Sequence, residues 1–112
     1  MSNDITKGAI EAVLLQTLHN LGEGYGYQIL RALREEDHEI LTFREGTLYP
    51  LLYRLEARGF VTSKEREAPS GKTRRYYHLT KKGTSYLEKR RSQFAKLSKE
   101  LHSALRLSRV SL

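Results

Sequence analysis

Residues 45–80 join a short helix to a pair of strand-like runs, and this combination constrains the fold more than any other segment of the chain. The segment reads EGTLYPLLYRLEARGFVTSKEREAPSGKTRRYYHLT. Four leucines repeat at the spacing of one helical face: Leu48, Leu51, Leu52 and Leu55. Gly59 suits the left-handed conformation at a helix end. Because proline is comfortable only in a first turn, Pro50 predicts that regular hydrogen bonding starts late, close to Thr47.

Two runs rich in β-branched and aromatic residues follow this helix, at residues 60–64 and 74–79. The turn-forming sequence Ala68-Pro69-Ser70-Gly71 lies between them. Strand-like runs on either side of a segment that contains proline and glycine are typical of a β-hairpin, here with a long tip. The segment therefore predicts a helix that leads directly into a hairpin.

Two further helices precede this segment, at residues 6–21 and 25–36, and Gly22-Glu23-Gly24 forms the break between them. The apolar face predicted for the first helix contains Ile10, Val13, Leu14, Leu18 and Leu21. The face predicted for the second helix contains Tyr25, Ile29, Leu30 and Leu33. An acidic cluster at residues 35–39 then interrupts the second helix. We interpret the cluster either as a solvated loop or as a contact for an inducer or partner.

A last helix begins after Thr80, which can cap it, and is predicted to extend to Leu107. Three short helices followed by a hairpin is the element order of the winged helix-turn-helix. The predicted fold class is therefore mainly α with a small β-hairpin. We expect a winged helix-turn-helix DNA-binding domain over residues 1–80 and a long C-terminal dimerisation helix over residues 81–112.

Positive charge is concentrated on the helix–hairpin segment and on the start of the last helix. Residues 1–43 carry a net charge of −4, residues 44–91 of +8 and residues 92–112 of +3, within a total of +7. Lysine and arginine can neutralise DNA phosphates, and the helix before the hairpin is the one that reads base edges in this element order. We therefore predict contact with double-stranded DNA. The predicted DNA-binding residues are Arg44, Thr47, Tyr49, Tyr53 and Arg54 on the helix, and Lys64, Arg66, Lys72, Arg74 and Arg75 on the hairpin.

Two of these interpretations have an alternative. Tyr49 lies beside the leucine stripe, so its ring can pack on the core instead of contacting DNA. A run of charges can also be an ordinary solvated face. In that case the chain would be a protein-interaction module that uses a winged-helix body without binding DNA, and its positive surface would be dispensable.

The last helix carries an apolar stripe that is too long for so small a body to cover. Leu87, Phe94 and Leu101 are spaced by seven residues, as in helix–helix packing. We predict that this helix pairs with a second copy, and packing on its own domain is the alternative. A symmetric dimer would present two recognition helices to a two-fold symmetric site. The residues predicted at this interface, or in an inducer pocket beside it, are Leu87, Phe94, Leu97, Leu101 and Leu105.

Other functional classes find little support in the sequence. The chain has no cysteine and its four histidines are scattered through different elements, so we expect no metal site and no cofactor. Neither a nucleophile motif nor a phosphate-cradling glycine loop indicates an enzyme. The first ten residues lack the apolar core of a signal peptide, and no apolar run approaches the ~18 residues that span a bilayer. We expect a cytoplasmic protein without a membrane partner.

Three motifs occur together between residues 8 and 90. They are Gly26-Tyr27-Gln28-Ile29, then Glu45-Gly46-Thr47-Leu48-Tyr49-Pro50 followed by Leu55-Glu56, and finally Arg74-Arg75-Tyr76-Tyr77-His78-Leu79-Thr80 with Gly83. In this combination the chain resembles the PadR family of bacterial transcriptional regulators. The single C-terminal helix is similar to that of the small PadR-like subfamily.

This resemblance implies a dimeric winged-helix repressor that binds promoter DNA containing an inverted repeat. It also implies release of the DNA when a small aromatic or drug-like molecule binds. Some members of the family line a pore between subunits with an aromatic residue on the last helix. Counting from Tyr76-Tyr77, Phe94 falls at that position, so the resemblance implies an inducer contact there. Packing of Phe94 in the core or the interface is the alternative.

Overall fold

Helices dominate the computed structural model, which describes residues 4–35 and 41–107. The elements in chain order are α1 (Asp4–Leu21), β1 (Gly24–Tyr25), α2 (Gly26–Arg34), α3 (Glu45–Ala57), β2 (Val61–Glu67), β3 (Thr73–Leu79) and α4 (Lys81–Ala104). The three strands form an antiparallel sheet in the order β1-β3-β2. The predicted fold class is confirmed: three helices and a winged hairpin are followed by one long helix.

A single hydrophobic core connects the helices with the sheet. The leucine stripe of α3 is fully buried, as its helical spacing predicts, with exposures between 0 and 2 %. The stripe belongs to one cluster with Leu14 and Leu18 of α1, Ile29 of α2 and Val61 of β2. Each such side chain contributes about 1.5–3 kcal/mol by leaving water, so this cluster is the main stabilising feature of the domain.

The buried face of α1 differs in part from the predicted one. Leu15 is fully buried, whereas Leu21, which we predicted to be buried, is 43 % exposed. Four buried residues follow the pattern i, i+3, i+4, i+7: Glu11, Leu14, Leu15 and Leu18. The prediction is confirmed for Leu14 and Leu18, and Ile10 and Val13 pack partly buried against the core, so only Leu21 is wrong. The carboxylate of Glu11 can lie on this face because it has partners, which are described below.

The connection between α1 and α2 contains a strand that the sequence did not indicate. Gly24 and Tyr25 pair with Tyr77 and Tyr76 of β3, so the predicted position of Tyr25 on the buried face of α2 is wrong. A two-residue strand is too short to produce a periodic pattern. α2 ends at Arg34. The predicted end at residue 36 and the acidic cluster beyond Glu35, which includes His38, lie outside the described residues.

Hydrogen bonding in α3 begins close to Thr47, as Pro50 predicted, because the amides of Thr47 and Leu48 donate to the carbonyl of Arg44 at 3.0 and 2.8 Å. The helix itself begins at Glu45, with Arg44 as its N-cap. Pro50 therefore lies in the second turn, where it cannot donate to the carbonyl of Gly46. Both residues are exposed, so water can reach that carbonyl.

The hairpin has the predicted position and tip, although β2 extends to Glu67, beyond the predicted strand end. At the tip, the amide of Gly71 donates to the carbonyl of Ala68 at 2.8 Å, and the amide of Ala68 donates to the carbonyl of Lys72 at 2.7 Å. Gly71 has a φ of +90°, a conformation that favours glycine. Residues 61–79, which comprise β2, the tip and β3, are called the wing below.

The start of α4 is anchored in the core. The Thr80 hydroxyl donates to the carbonyl of Gly59 at 2.6 Å and accepts from the amide of Gly83 at 2.9 Å, so the predicted cap is confirmed. A Cβ at Gly83 would overlap the backbone carbonyl of Phe60. Leu87 is only 3 % exposed and belongs to the core cluster. Because such a side chain offers no area to a partner, we remove Leu87 from the predicted interface. The helix ends at Ala104, three residues before the predicted end.

Candidate nucleic-acid interface

The outward face of α3 carries side chains that were predicted to contact DNA. The leucine stripe turns Tyr53 into solvent, where it is 76 % exposed. Thr47, Arg54 and the N-cap residue Arg44 are exposed as well. Gly46 and Pro50 add little bulk to the first two turns, so the helix backbone can approach a groove closely. Hydroxyl and guanidinium groups such as those on this face can form hydrogen bonds with base edges.

Tyr49 combines features of the two alternatives considered for it. Its ring packs against Gly26 at the start of α2 so closely that a Cβ on Gly26 would overlap it. The residue is nevertheless 47 % exposed. It lines a cavity of about 340 Å³ together with three wing cations, namely Lys72, Arg74 and Arg75. Side chains of α3 and of the wing therefore meet at one place on the surface.

The wing cations have different surroundings. Lys64 and Lys72 are exposed. The guanidinium of Arg74 lies 4.1 Å from the centroid of the Tyr25 ring. Arg75 donates to the Ser63 hydroxyl at 2.9 Å and to the Glu65 carboxylate at 3.2 Å. The ion pair with Glu65 is exposed and exchangeable, so Arg75 can give up this partner for a phosphate.

Strand alternation gives the wing two faces. Lys64 lies opposite Tyr76 on one face, and Ser63 lies opposite Tyr77 on the other. The second face is linked to α3, because the Ser63 hydroxyl donates to the Glu56 carboxylate at 2.7 Å. Burial raises the pKa of Tyr77 above its ordinary value, and the nearby Glu56 carboxylate adds to this. The phenol therefore stays neutral at physiological pH.

Arg66 forms the most extensive side-chain contacts of the wing. Its two terminal nitrogens donate to the two carboxylate oxygens of Glu23 at 3.3 and 2.6 Å. Its guanidinium also lies 4.0 Å from the centroid of the Tyr76 ring. The hydrogen bond from Arg66 is the main reason why the pKa of Glu23 is lowered, and the same bond raises the pKa of Arg66. Both groups are therefore charged across the physiological range. The sequence did not indicate this pairing, because 43 residues separate the two partners.

A second charged cluster, also missed from the sequence, joins α1, the end of α3 and α4. The Glu11 carboxylate accepts from Arg58 at 3.1 Å and from the Tyr86 hydroxyl at 3.1 Å. Arg90 donates to the Tyr86 oxygen at 3.1 Å, and the ring of Tyr86 stacks on Phe60 at 4.1 Å. We call these five residues the Glu11 cluster. The signal that could have revealed it is a carboxylate on the apolar face of α1, since a buried charge needs partners.

The second half of α4 presents an apolar face. Phe94 and Leu97 are half-buried, while Leu101 is 41 % and Leu105 is 61 % exposed. Except for Leu105, these residues line a groove of about 420 Å³ together with the start of α1. The other apolar residues along the groove are Ile5, Ala9, Leu41 and Leu107. The structure thus places Phe94, Leu97 and Leu101 together along one groove, whereas Leu105 is exposed beside it and Leu87 lies in the core.

Two negative observations concern residues 4–35 and 41–107. In this part of the chain, no group of metal-ligating side chains is close enough to hold an ion. Helices that combine the length and the apolar character of a membrane span are also absent from it.

Comparison with known proteins identifies the family. A model of the transcriptional regulator PadR-like family matches residues 14–89, which run from the second half of α1 through α2, α3 and the wing to the anchored start of α4. This chain belongs to the PadR family. The family comprises transcription regulators and not enzymes, and membership favours DNA binding over the protein-interaction alternative. The resemblance noted in the sequence motifs is thereby confirmed.

Three individual transcriptional regulators are similar to this chain over most of their own length. The transcriptional regulator Rv3488 of Mycobacterium tuberculosis is 33 % identical over 92 residues, which cover 80 % of this chain and 82 % of that protein. The crystal structure of a PadR family regulator from Eggerthella lenta has a TM-score of 0.78 at 27 % identity, covering 96 % of this chain and 91 % of that one. A PadR-like regulator from Bacillus cereus has a TM-score of 0.76 at 28 % identity, covering 91 % and 96 %.

Proposed function

We propose that this PadR-family protein is a homodimeric, cytoplasmic repressor that binds an inverted-repeat operator and leaves it when a small aromatic or drug-like molecule binds. The observation that carries the proposal is the cavity where Tyr49 of α3 meets the cations of the wing. With the two elements adjacent, α3 can enter the major groove while the wing follows phosphates or the minor groove.

The residues of this surface divide into two roles. Thr47, Tyr53 and Arg54 face outward from α3, so we assign base-edge contacts to them, with Arg44 and Tyr49 at the flanks. Lys64, Lys72, Arg74 and Arg75 are assigned to phosphates, because lysine and arginine release counterions there without reading sequence. The first group would set operator preference and the second would set most of the affinity.

The exposed apolar face of α4 supports the dimer. Leu101 and Leu105 together with the groove beside Phe94 and Ile5 leave an apolar surface uncovered in a single chain. A second copy that lays its α4 against this face would cover it and would relate two α3 helices by a two-fold axis. An inducer at Phe94 would then lie within the dimer interface, where it can change the distance between the recognition helices.

Binding of the protein to a duplex that covers the promoter of its own gene tests the proposal. We expect the logarithm of the affinity to fall linearly with the logarithm of the salt concentration, by about 0.9 for every phosphate contacted. Fluorescence anisotropy across a salt series measures this slope. Absence of binding, or binding that does not depend on salt, would contradict the proposal.

Two sets of variants separate the assigned roles. Arg54→Ala should change the preference for the promoter over a scrambled duplex of equal length, whereas the pair Arg74→Ala and Arg75→Ala should weaken binding to both duplexes alike.

Leu101→Glu tests the dimer. It should convert the dimer into a monomer in light scattering, because a carboxylate would be buried without a partner. Glu100→Ala, beside it on the same helix, is the control that should stay dimeric.

A further inference from the structure

The outer part of the wing has no third strand beside it. β1 pairs with β3 only at Tyr76 and Tyr77, whereas the hairpin continues as far as the pair Glu67–Thr73. Beyond Tyr76 the wing is therefore a two-stranded ribbon. Such ribbons are marginally stable in water and vary in twist, so backbone pairing alone leaves the direction of the tip poorly fixed.

Side chains bridge the sheet at this point. Glu23 directly precedes β1, which is one edge strand, and Arg66 lies on β2, which is the other, so β3 runs between them. The bidentate pair between Glu23 and Arg66 crosses that middle strand, and the Arg66 guanidinium stacks on the ring of Tyr76 as it does so. We call Glu23, Tyr76 and Arg66 the strap, because they join both edges of the sheet.

Aromatic contacts continue the strap into the body of the domain. The ring of Tyr76 meets the ring of Tyr25 edge-on, with centroids 5.5 Å apart and planes at 78°. Tyr25 is the residue that caps the start of α2, so the stack connects the wing to the helix-turn-helix. A planar guanidinium that makes two parallel hydrogen bonds and a stacking contact is fixed in direction as well as in position.

We propose that Arg66 is a positioning residue, which together with Glu23 holds the wing at the angle from which Lys64 and Lys72 reach DNA phosphates. This role rests on the proposed function, because it requires a wing that contacts DNA. It differs from the phosphate contact that the sequence predicted for Arg66. An exposed ion pair contributes little to global stability, so the strap should act on the direction and mobility of the wing and not on unfolding.

Glu23→Gln distinguishes the strap from simple electrostatics. The substitution removes a negative charge beside a positive surface, so electrostatics alone predicts tighter DNA binding. Loss of the strap predicts the opposite, an affinity for the promoter duplex about three- to fivefold lower. Glu67→Gln is the matched control, because it removes an exposed carboxylate from the same wing without touching the strap. The control should bind at least as tightly as the wild type.

A double mutant tests whether Glu23 and Arg66 act as one unit. We expect Arg66→Gln to weaken binding to the promoter duplex as much as Glu23→Gln does, without changing the salt slope. The double variant Glu23→Gln with Arg66→Gln should bind no more weakly than either single variant.

Charge reversal gives a rescue experiment. The double variant Glu23→Arg with Arg66→Glu keeps the net charge of the wild type and should bind the promoter duplex more tightly than Arg66→Glu alone. A phosphate contact by Arg66 predicts instead a slope smaller by about 0.9 and no rescue. That result, or tighter binding by Glu23→Gln, would overturn the proposal.

Amide hydrogen exchange of the DNA-free protein tests the strap without DNA. Amides of residues 64–75 should exchange several-fold faster in Glu23→Gln than in the wild type or in Glu67→Gln, because the outer ribbon would open more often. Equal exchange in the three proteins would overturn the proposal. If the wild type bound no DNA, the proposed function would fail, and this measurement would still decide whether the strap holds the wing.

Discussion

The Glu11 cluster and the wing both contain arginines that pair with a glutamate beside a tyrosine ring, but they differ in how deeply the carboxylate is buried. The Glu11 side chain is 9 % exposed, whereas those of Glu23 and Glu65 on the wing side are 47 % and 62 % exposed. A buried carboxylate depends on its arginine, because an unpaired charge is costly away from water. An exposed pair such as Glu65 with Arg75 can open at little cost and let its arginine bind a phosphate, whereas Arg66 is also held on Glu23 by two hydrogen bonds and by the ring of Tyr76.

This difference assigns opposite tasks to arginines that the sequence does not distinguish. Arg54 and Arg58 are four residues apart near the end of α3. Arg54 points into solvent, while Arg58 donates to Glu11 and stacks over Phe60 at 4.8 Å. The positive charge of the chain is therefore not one DNA-binding surface. Part of it holds α1, α3 and α4 together and Arg66 is paired with Glu23, whereas cations such as Arg54, Lys64 and Lys72 are exposed to solvent.

Removal of the buried carboxylate should have the largest effect on stability. Glu11→Ala leaves Arg58 and Arg90 close together without a counter-charge and opens space at the core. We expect a loss of about 3 kcal/mol in the free energy of unfolding, measured by urea denaturation. The salt slope of DNA binding should not change, because neither arginine is assigned to a phosphate.

The exposed Glu88 on α4 provides the control for this experiment. Glu88→Ala should change the free energy of unfolding by less than about 0.5 kcal/mol. If Glu11→Ala were equally mild, the Glu11 cluster would be an ordinary surface group, and the contrast with the wing would disappear.

Substitution of glycine by alanine should have opposite effects on the free energy of unfolding at Gly83, which packs on the core, and at Gly46, which is exposed on α3. At Gly83 a Cβ would overlap the Phe60 carbonyl, so α4 must shift away from the core, at a cost of about 2 kcal/mol. At Gly46, on the exposed face of α3 that we propose contacts DNA, a Cβ meets open space. Gly46→Ala should therefore stabilise the protein by about 0.5 kcal/mol, since alanine restricts the unfolded chain.

The effect of Gly46→Ala on DNA binding should be opposite in sign to its effect on stability. Gly46→Ala should weaken promoter binding, because it adds bulk to the turn of α3 that approaches the groove. Thermal unfolding of both variants measures their stability, and fluorescence anisotropy with the promoter duplex measures their DNA binding. Destabilisation by Gly46→Ala would contradict the open space around this position.

Deletion of one hydroxyl in the Glu11 cluster should have a smaller effect. Tyr86→Phe keeps the stack on Phe60 but removes the donor to Glu11 and the acceptor for Arg90. The expected loss is about 1 kcal/mol in the free energy of unfolding. Tyr53→Phe is the matched control, because the Tyr53 ring is exposed on α3, and it should leave stability unchanged. Equal effects of the two substitutions would mean that the cluster does not depend on Tyr86.

The elements that repeat with a clear period were predictable from the sequence. The leucine stripe of α3, the cap that Thr80 forms with the amide of Gly83 and the tip at Gly71 each depend on neighbours within a few residues. β1 was not predictable in this way, because two residues carry no period and their pairing depends on Tyr76 and Tyr77, far along the chain. The end of α4 was overestimated because the pattern of leucines continues past Ala104, where the helix stops.

In the candidate site, too, features set within one helix were predictable and contacts between distant residues were not. The exposure of Tyr53 and Arg54 follows from the leucine stripe, so geometry within one helix was sufficient. The partners of Arg66 and Arg58 are 43 and 47 residues away, and no local pattern indicates them. Leu87 illustrates the opposite error, since a heptad spacing does not reveal whether a residue faces its own core or a partner.

Neutralisation of a single exposed lysine should have the smallest effect and should appear only in DNA binding. Lys72→Gln removes a charge at the wing tip, where the side chain is exposed and lies beside Arg74 and Tyr49 around one cavity. The free energy of unfolding should stay within about 0.5 kcal/mol of the wild type, because no buried group loses a partner. The salt slope should fall by about 0.9, the value of one phosphate contact. Lys99→Gln on α4 removes the same charge away from the wing and should leave the slope unchanged. Equal slopes for both variants would mean that the wing tip does not touch the DNA, and the contrast between a structural and a DNA-binding set of cations would then have to be restricted to α3.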